Sequence, residues 1–424
     1  MITKSIEVAN GVKINYIETD KFKTNYFSFN FITLIDKEKS PLNTLLPRIL
    51  THGSASYPSQ ALIDKRLQYL YSSSLVTRNT TIGKFHIFGL MADMLNDKYT
   101  AGTSVTSEMI SLICDIIFNP YLENGVFSKQ YTESEKLEVI DAINAEINNK
   151  GRYSLNRCTE IMCEDEIFSI KKTGNVDDVE KITPEQLYNA YKNALKNYKI
   201  EIYAVGKLDI DKIALTLKAH FEKIERELET MPSIEIKRSA SEVKRVCEIQ
   251  DVMQGKLCMG FRTGRTIEDG NYHIAQLFCE IYGGSPTSKL FVNVREKKSL
   301  CYTCRSMITQ KSGLMYVMAG IEATNKQIAE DAILEQLDCV RLAQITSEEL
   351  ESAKKSLKNS YMNIYDSPSA MELWTLNREL SGNFDEPIGE AQRVDSTTKE
   401  QIAEYARGIT LDTVYFLKGE DSNG

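Results

Sequence analysis

Histidine is scarce in this 424-residue sequence: there are four, His52, His86, His220 and His273, and no two stand three or four residues apart. A pair of imidazoles on one helical face, the usual start of a protein zinc site, is therefore excluded. Each histidine reads instead as an isolated structural residue. No G-x-x-x-x-G-K-[ST] run is present to cradle a nucleotide phosphate, no G-x-S-x-G elbow presents a nucleophilic serine, and no cysteine has a convincing histidine partner. A basic excess is missing too. With 51 Lys and Arg against 59 Asp and Glu, the formal net charge is −8, which argues against a nucleic-acid or anionic-membrane partner. No window approaches a membrane-spanning run, and the opening M-I-T-K-S-I-E-V-A-N-G has no apolar stretch of signal-peptide length. These absences point to a cytoplasmic protein.

The nine cysteines are scattered singly among apolar neighbours, as at Cys114, Cys163, Cys279 and Cys339, in the manner of reduced core thiols. Only Cys301 and Cys304 form a C-x-x-C. With no second pair and no histidine nearby they do not make a zinc ribbon. On a regular strand they would point to opposite faces, so packing is the expected role for both, with a redox role as the alternative.

What is present is patterned for two similar halves. Residues 13–34 alternate apolar and polar, with Phe27, Phe29 and Phe31 on one face, and read as one or two strands. Pro41 opens a helix that Gly53 closes. A second helix covers 60–70 with Leu62, Leu67 and Leu70 as its buried stripe, and 75–80 with 84–91 form a strand pair turned at Gly83. Helices follow over 104–117 and 130–149, the latter with Leu137, Ile140, Ile143 and Ile147 as its apolar stripe. Thr183-Pro184-Glu185-Gln186 is a capping box leading through a helix to a strand at 200–205; Thr398-Lys399-Glu400-Gln401 repeats the device before a strand at 413–417. S-S-L-V-T-R with G-K-F-H-I-F-G resembles S-L-C-Y-T-C-R with G-L-M-Y-V-M-A-G at an offset of about 215 to 230 residues. The reading is a duplicated α+β domain: an N-terminal half at 1–225, a polar linker at 226–242 and a C-terminal half at 243–424. Each half is expected to be a mostly antiparallel sheet with helices on one face.

The densest chemistry lies in 283–305, G-G-S-P-T-S-K-L-F-V-N-V-R-E-K-K-S-L-C-Y-T-C-R. The glycines and proline make a turn, Thr287 or Ser288 caps a short helix with Leu290, Phe291 and Val294 as its apolar stripe, and Arg295 ends that helix. After Lys298 the pattern becomes strand-like over 300–303, so Tyr302 follows Arg295 across a helix-to-strand corner. A guanidinium and a phenol there are fixed donors suited to a peptide carbonyl and to the charge that develops on it during attack. The structural alternative is that Arg295 complements a helix C-terminus while Tyr302 packs at a sheet edge.

The run G-G-x-x-x-S-[KR]-L-F-x-x-V-R-E-K-x-x-L-x-Y resembles the C-terminal-half motif of the pitrilysin/insulinase metallopeptidase family, and the resemblance extends over nearly the whole chain. It implies two bowl-like halves around a chamber, with Arg295 and Tyr302 binding substrate opposite a zinc ion. In active members the first helix carries H-x-x-E-H, two zinc ligands and a general base. Aligned on Gly53, this chain places Thr44-Leu45-Leu46-Pro47-Arg48 over that motif. Thr44, Pro47 and Arg48 supply neither ligand nor base, and the cation of Arg48 would repel a divalent metal. The family's third ligand, a glutamate, should fall within 135–146, where Glu138 and Glu146 bracket Ala142 and Asn144 without fixing a register. The chain is thus expected to bind no metal or other cofactor itself. The resemblance implies a non-zinc subunit that binds peptide or small-protein substrates and gives Arg295 and Tyr302 to the zinc site of a homologous H-x-x-E-H partner, with a homodimer as the state of the isolated chain. The alternatives are an autonomous zinc metalloendopeptidase with an unrecognised site, or a non-catalytic peptide-binding or structural protein of the same fold.

Overall fold

The computed structural model describes residues 1–420. They form two compact units. The first comprises Met1–Asn144, Ile170–Ser233 and Ser367–Asn377; the second comprises Ala145–Ser169, Ile234–Asp366 and Arg378 onward. The change from one unit to the next at 233/234 falls in a stretch without helix or strand.

In the first unit the strands are β1 (Lys4–Ala9), β2 (Val12–Glu18), β3 (Thr24–Leu34), β4 (Ser74–Ile82), β5 (Phe85–Leu95), the short ladder β6 (Leu122–Glu123) with β7 (Val126–Phe127), and β8 (Lys199–Gly206). The main sheet has the order β1-β2-β8-β3-β5-β4, and all its neighbours are antiparallel except β2 and β8. The second unit carries β9 (Lys244–Ile249), β10 (Gly255–Arg262), β11 (Cys301–Thr309), β12 (Leu314–Ile321) and β13 (Thr410–Lys418) in the order β11-β12-β10-β13-β9, with β13 and β9 its one parallel pair. Read from the other edge, this is β9-β13-β10-β12-β11. It matches β2-β8-β3-β5-β4 strand for strand in chain order and in direction. The shared motif pairs noted in the sequence fall on corresponding strands, β4 with β11 and β5 with β12.

The central strand of each sheet is buried on both faces. On β3, Phe27, Phe29 and Phe31 enter the main core, where the Phe29 and Phe31 rings lie 5.2 Å apart and Phe31 stacks on Phe88. The alternate residues Tyr26, Ser28 and Asn30 face a carboxylate, Glu372, carried by the helix Pro368–Glu379. Arg78 of β4 closes this group: its Nη2 lies 2.6 Å from Glu372 Oε2, and its Nη1 also bonds Oε1. Buried charges of this kind persist only when paired and hydrogen-bonded. In the second unit Arg262 of β10 plays a similar part: it is fully buried and bonds Asp412, Glu166 and the carbonyl of Met162. The helix Lys150–Met162 lies close over β10 at Gly260, where a Cβ would come within 2.7 Å of the Met162 sulfur. Each sheet is therefore covered on its second face by a helix from a distant part of the sequence.

Both capping boxes form, at Thr183 ahead of Pro184–Asn197 and at Thr398 ahead of Lys399–Arg407. Two apolar stripes form only in part. In the helix Lys129–Ala145, Ile140 and Ile143 pack against the core as expected, whereas Leu137 is 62 % exposed, and Ile147, just beyond the helix, is also exposed. The buried positions are Thr132, Lys136 and Val139, with Lys136 paired to Glu133, so the inward face also carries polar residues that hydrophobicity alone does not mark. In the helix Gln60–Tyr69, Leu67 packs against the core and Leu70, just beyond the helix, is fully buried, as is Ile63, while Leu62 is exposed. The first helix ends at Leu50, ahead of Gly53. No helix among the described residues is long and apolar enough to cross a membrane.

Candidate active-site remnant and substrate corner

The first candidate region is built on the helix Lys39–Leu50, which contains Thr44, Pro47 and Arg48. Thr44 is buried; its hydroxyl donates to the Lys172 carbonyl at 2.6 Å and accepts from Asn79 Nδ2 at 2.9 Å. Pro47 lies inside the helix, where it removes the N–H that would bond the carbonyl of Asn43. Arg48 turns to the neighbouring helix Lys129–Ala145 and donates from Nε to Glu135 Oε2. His52, one turn beyond Arg48, meets the same carboxylate through Nε2, 2.7 Å from Oε1, and its ring stacks on Tyr131 with centroids 4.8 Å apart.

Glu135 is thus held at both oxygens, one by a guanidinium and one by an imidazole. Burial works to raise its pKa, but the His52 and Arg48 contacts outweigh it and hold the carboxyl below its ordinary range. His52 is not isolated, contrary to the sequence reading, because its partner lies 83 positions away. Glu135 opens the interval in which the sequence leaves the third ligand unassigned. Glu138 is exposed, and Glu146 belongs to the second unit, where it accepts from Asn156.

Zinc does not fit this donor set. A hydroxyl already engaged on both sides, a proline and a cation replace the two imidazoles and the base, and the nearby carboxylate is already paired with the Arg48 guanidinium. Among the described residues, no group of three or more His, Cys, Asp or Glu side chains is arranged to hold a metal ion. The other histidines have structural surroundings. His86 is buried against Asn79, and burial assisted by the charge of Lys172 pushes its pKa down to about 3. His220 stacks on Phe118 at 4.6 Å, and His273 lies 3.9 Å from Glu390.

The second region is the corner between the helical stretch Leu290–Lys297 and β11. The helix is wound as a π-helix, a rare form that concentrates at functional sites, and a second π-helical turn, Glu280–Gly284, precedes it. Leu290 and Val294 are fully buried and anchor it, while Phe291 lies half-buried beneath the Arg295 guanidinium at 4.3 Å. Arg295 Nε donates to the Tyr302 carbonyl at 3.0 Å, and its two terminal nitrogens make no hydrogen bond among the described residues. Ser299, in the left-handed region at φ 51°, turns the chain into β11. There Cys301 opposes Ile321 and Thr303 opposes Gly320, so Tyr302 is the extra residue of a β-bulge. The bulge throws its side chain outward: Tyr302 is 64 % exposed and its hydroxyl has no hydrogen-bond partner among the described residues. The structure therefore brings Arg295 and Tyr302 into one unit of geometry, a guanidinium tied to the backbone of the residue that carries the phenol.

The same bulge revises the cysteine reading. Cys301 and Cys304 both lie on the buried face, since the extra residue restores the alternation that the spacing alone would break. All nine cysteines are free thiols.

Comparison with known proteins bears on both regions. The family model described as the peptidase M16 inactive domain matches residues 181–357. A Bacillus subtilis protein described as a probable inactive metalloprotease, YmfF, is 32% identical over 415 residues, 97% of this chain and 96% of that protein. A second Bacillus subtilis protein, described as an uncharacterized zinc protease, YmxG, is 32% identical over 138 residues, about a third of each chain. Among solved structures, that of a conserved protein from Enterococcus faecalis V583 superposes with a TM-score of 0.92 at 27% identity, covering 99% of both chains.

Proposed function

Because this chain belongs to the M16, or pitrilysin/insulinase, metallopeptidase family as an inactive homologue, we propose that it is the non-zinc subunit of a two-chain peptidase. In this reading a homologous chain bearing H-x-x-E-H supplies the zinc and the general base. This chain binds the peptide or small-protein substrate and presents Arg295 and Tyr302 to the scissile carbonyl. The observation that carries the proposal is the contrast in donors. The Arg48 guanidinium is paired with a carboxylate, Glu135, that His52 also holds, whereas Arg295 meets only a backbone carbonyl and an aromatic face and has no carboxylate partner among the described residues, and the Tyr302 hydroxyl is free of protein partners among them.

The chemistry asked of this chain is limited. The guanidinium and the phenol hold the carbonyl oxygen and stabilise the negative charge it gains when attacked; neither group transfers the substrate's protons. A preorganised pair suits that task because Arg295 is fixed at Nε by the Tyr302 carbonyl and on its flat side by Phe291. The occurrence in one bacterium of both an inactive relative and one described as a zinc protease supports a pairing of unlike members. Nine unpaired thiols suit a reducing compartment such as the cytoplasm. The division of the sequence into halves at 226–242 is part of the same reading, with the second half carrying the donors.

Reconstitution tests the proposal. The purified chain, a homologous H-x-x-E-H chain from the same cell and an equimolar mixture are assayed on a peptide library. Cleavage by the mixture well above the sum of the separate chains is expected, with zinc found in the partner. Cleavage by the zinc-bearing chain alone that does not change on mixing would overturn the subunit role.

A further inference from the structure

We propose that Cys301 and Cys304 are a redox dithiol that closes to an intramolecular disulfide, at the root of the bulge carrying Tyr302, when the chain meets a low-molecular-weight disulfide. The argument begins with register. Cys301 stands opposite Ile321 and Cys304 opposite Ala319, so the two cysteines are two ladder steps apart although three positions apart in sequence. Two steps of about 3.3 to 3.4 Å place their Cα atoms roughly 6.7 Å apart on one face, inside the ~4.4 to 6.8 Å that a disulfide spans. On an unbulged strand they would be about 10 Å apart on opposite faces and unable to join. The insertion of Tyr302 is what makes the pair.

Electrostatics agree with that placement. The neighbouring Cys304 thiol, assisted by the Arg295 guanidinium, holds Cys301 below the ordinary thiol range against the effect of burial. Cys304 is pushed well up by its nearness to Cys301 and by burial. Cys301 is accordingly the attacking sulfur. Cys301 retains 7% exposure and Cys304 4%, and Cys301 begins an edge strand beside the exposed stretch from Glu296 to Ser299.

The chemistry balances with a disulfide RSSR as oxidant. The Cys301 thiolate attacks one sulfur, forming the mixed disulfide with R and expelling RS⁻. Cys304 then loses its proton, attacks the Cys301 sulfur and expels the second RS⁻. Two protein thiols are oxidised, one disulfide is reduced to two thiols, and the two protein protons end on the departing thiolates. The ring closes the strand around Tyr302 and fixes the residue to which Arg295 is bonded.

The test equilibrates the reduced full-length chain with oxidised glutathione, quenches with acid, alkylates and reads each cysteine by mass spectrometry. The expected result is loss of both thiols in the peptide spanning 301–304 as an internal disulfide, while the buried Cys114 and Cys258 remain free. Cys304→Ser should trap a stable glutathione adduct on Cys301, and Cys301→Ser should leave Cys304 unmodified. A pair that remains dithiol when the exposed Cys247 is fully modified, or equal adducts in the two variants, would overturn the proposal; melting curves of both variants confirm that folded protein is compared. Oxidation should also lower cleavage by the reconstituted pair several-fold, reversibly with dithiothreitol. That arm rests on the proposed function: if the disulfide forms and cleavage is unchanged, the link to substrate is refuted while mass spectrometry alone judges the dithiol.

Discussion

The corner at Arg48 and the corner at Arg295 each hold an arginine at the end of a helical stretch, and they differ in what the guanidinium faces. Arg48 meets a carboxylate from the next helix, and that carboxylate also takes His52, so the local charges are balanced within the fold. Arg295 meets a backbone carbonyl and an aromatic face, both uncharged, and retains its full positive charge toward the outside. A charge-paired, hydrogen-bonded cluster contributes to stability and has little net charge to offer a ligand. An anchored cation without a counter-charge is poised for one. The comparison separates a site whose metal chemistry is replaced by internal pairing from a site whose donors remain available.

That separation can be broken experimentally. The largest effect is expected for Arg295→Ala in the reconstituted pair: loss of a preorganised donor should lower turnover on the order of 100-fold to 1000-fold. The melting temperature should move little, although some packing on Phe291 is lost. A drop in melting temperature without a drop in turnover would place Arg295 in the same structural class as Arg48.

Glu135→Gln should do the opposite. It leaves Arg48 and His52 without a charged acceptor in a partly buried setting, a cost of roughly 1 to 3 kcal/mol by the behaviour of buried groups that lose a partner. Chemical denaturation reads the loss, and turnover of the pair should be unchanged once folding is secured.

The smallest effect is a pH dependence. In the folded state His52 and Arg48 hold the Glu135 carboxyl below its ordinary range. Its contribution to stability is therefore fully present above the ordinary carboxyl pKa and is lost as pH falls through the depressed one. Melts of the native chain between about pH 6 and pH 3 should show an acid-side loss that Glu135→Gln reduces. An identical profile in the variant would show that the cluster does not carry charge as described.

How much of this was legible in the sequence depends on how local the signal is. Thr183 and Thr398 announce their helices because a capping box is written within four consecutive residues. Strands β2 to β5, β8, β11 and β13 were legible as alternating or apolar runs, and the repeated motifs marked β4 with β5 and β11 with β12 as corresponding pairs, whereas β1, β9 and β10 were not singled out. The R-E-K-x-x-L-x-Y run marked the Arg295 corner, and the loss of ligands at Thr44 and Arg48 was plain from residue chemistry. What was hidden is long-range or a matter of register. Glu135 reaches His52 across 83 positions, and Glu372 reaches Tyr26 across 346, distances at which a single sequence gives no pairing information. The bulge at Tyr302 reverses the face of everything before it, so strict alternation separated two cysteines that in fact share one face. The helix Lys129–Ala145 was legible only in part, because Ile140 and Ile143 pack inward as expected but the buried Thr132 and Lys136 are polar.

The most direct test of the contrast is Tyr302→Phe, which removes one hydroxyl and keeps the ring and the backbone carbonyl that holds Arg295. Peptide cleavage by the reconstituted pair and thermal unfolding of the chain are measured together. The account predicts turnover lower by on the order of 100-fold with an unchanged melting temperature, since an exposed phenol without a protein partner adds little to stability. Unchanged cleavage would contradict it, and would leave this corner as structural as the one at Arg48.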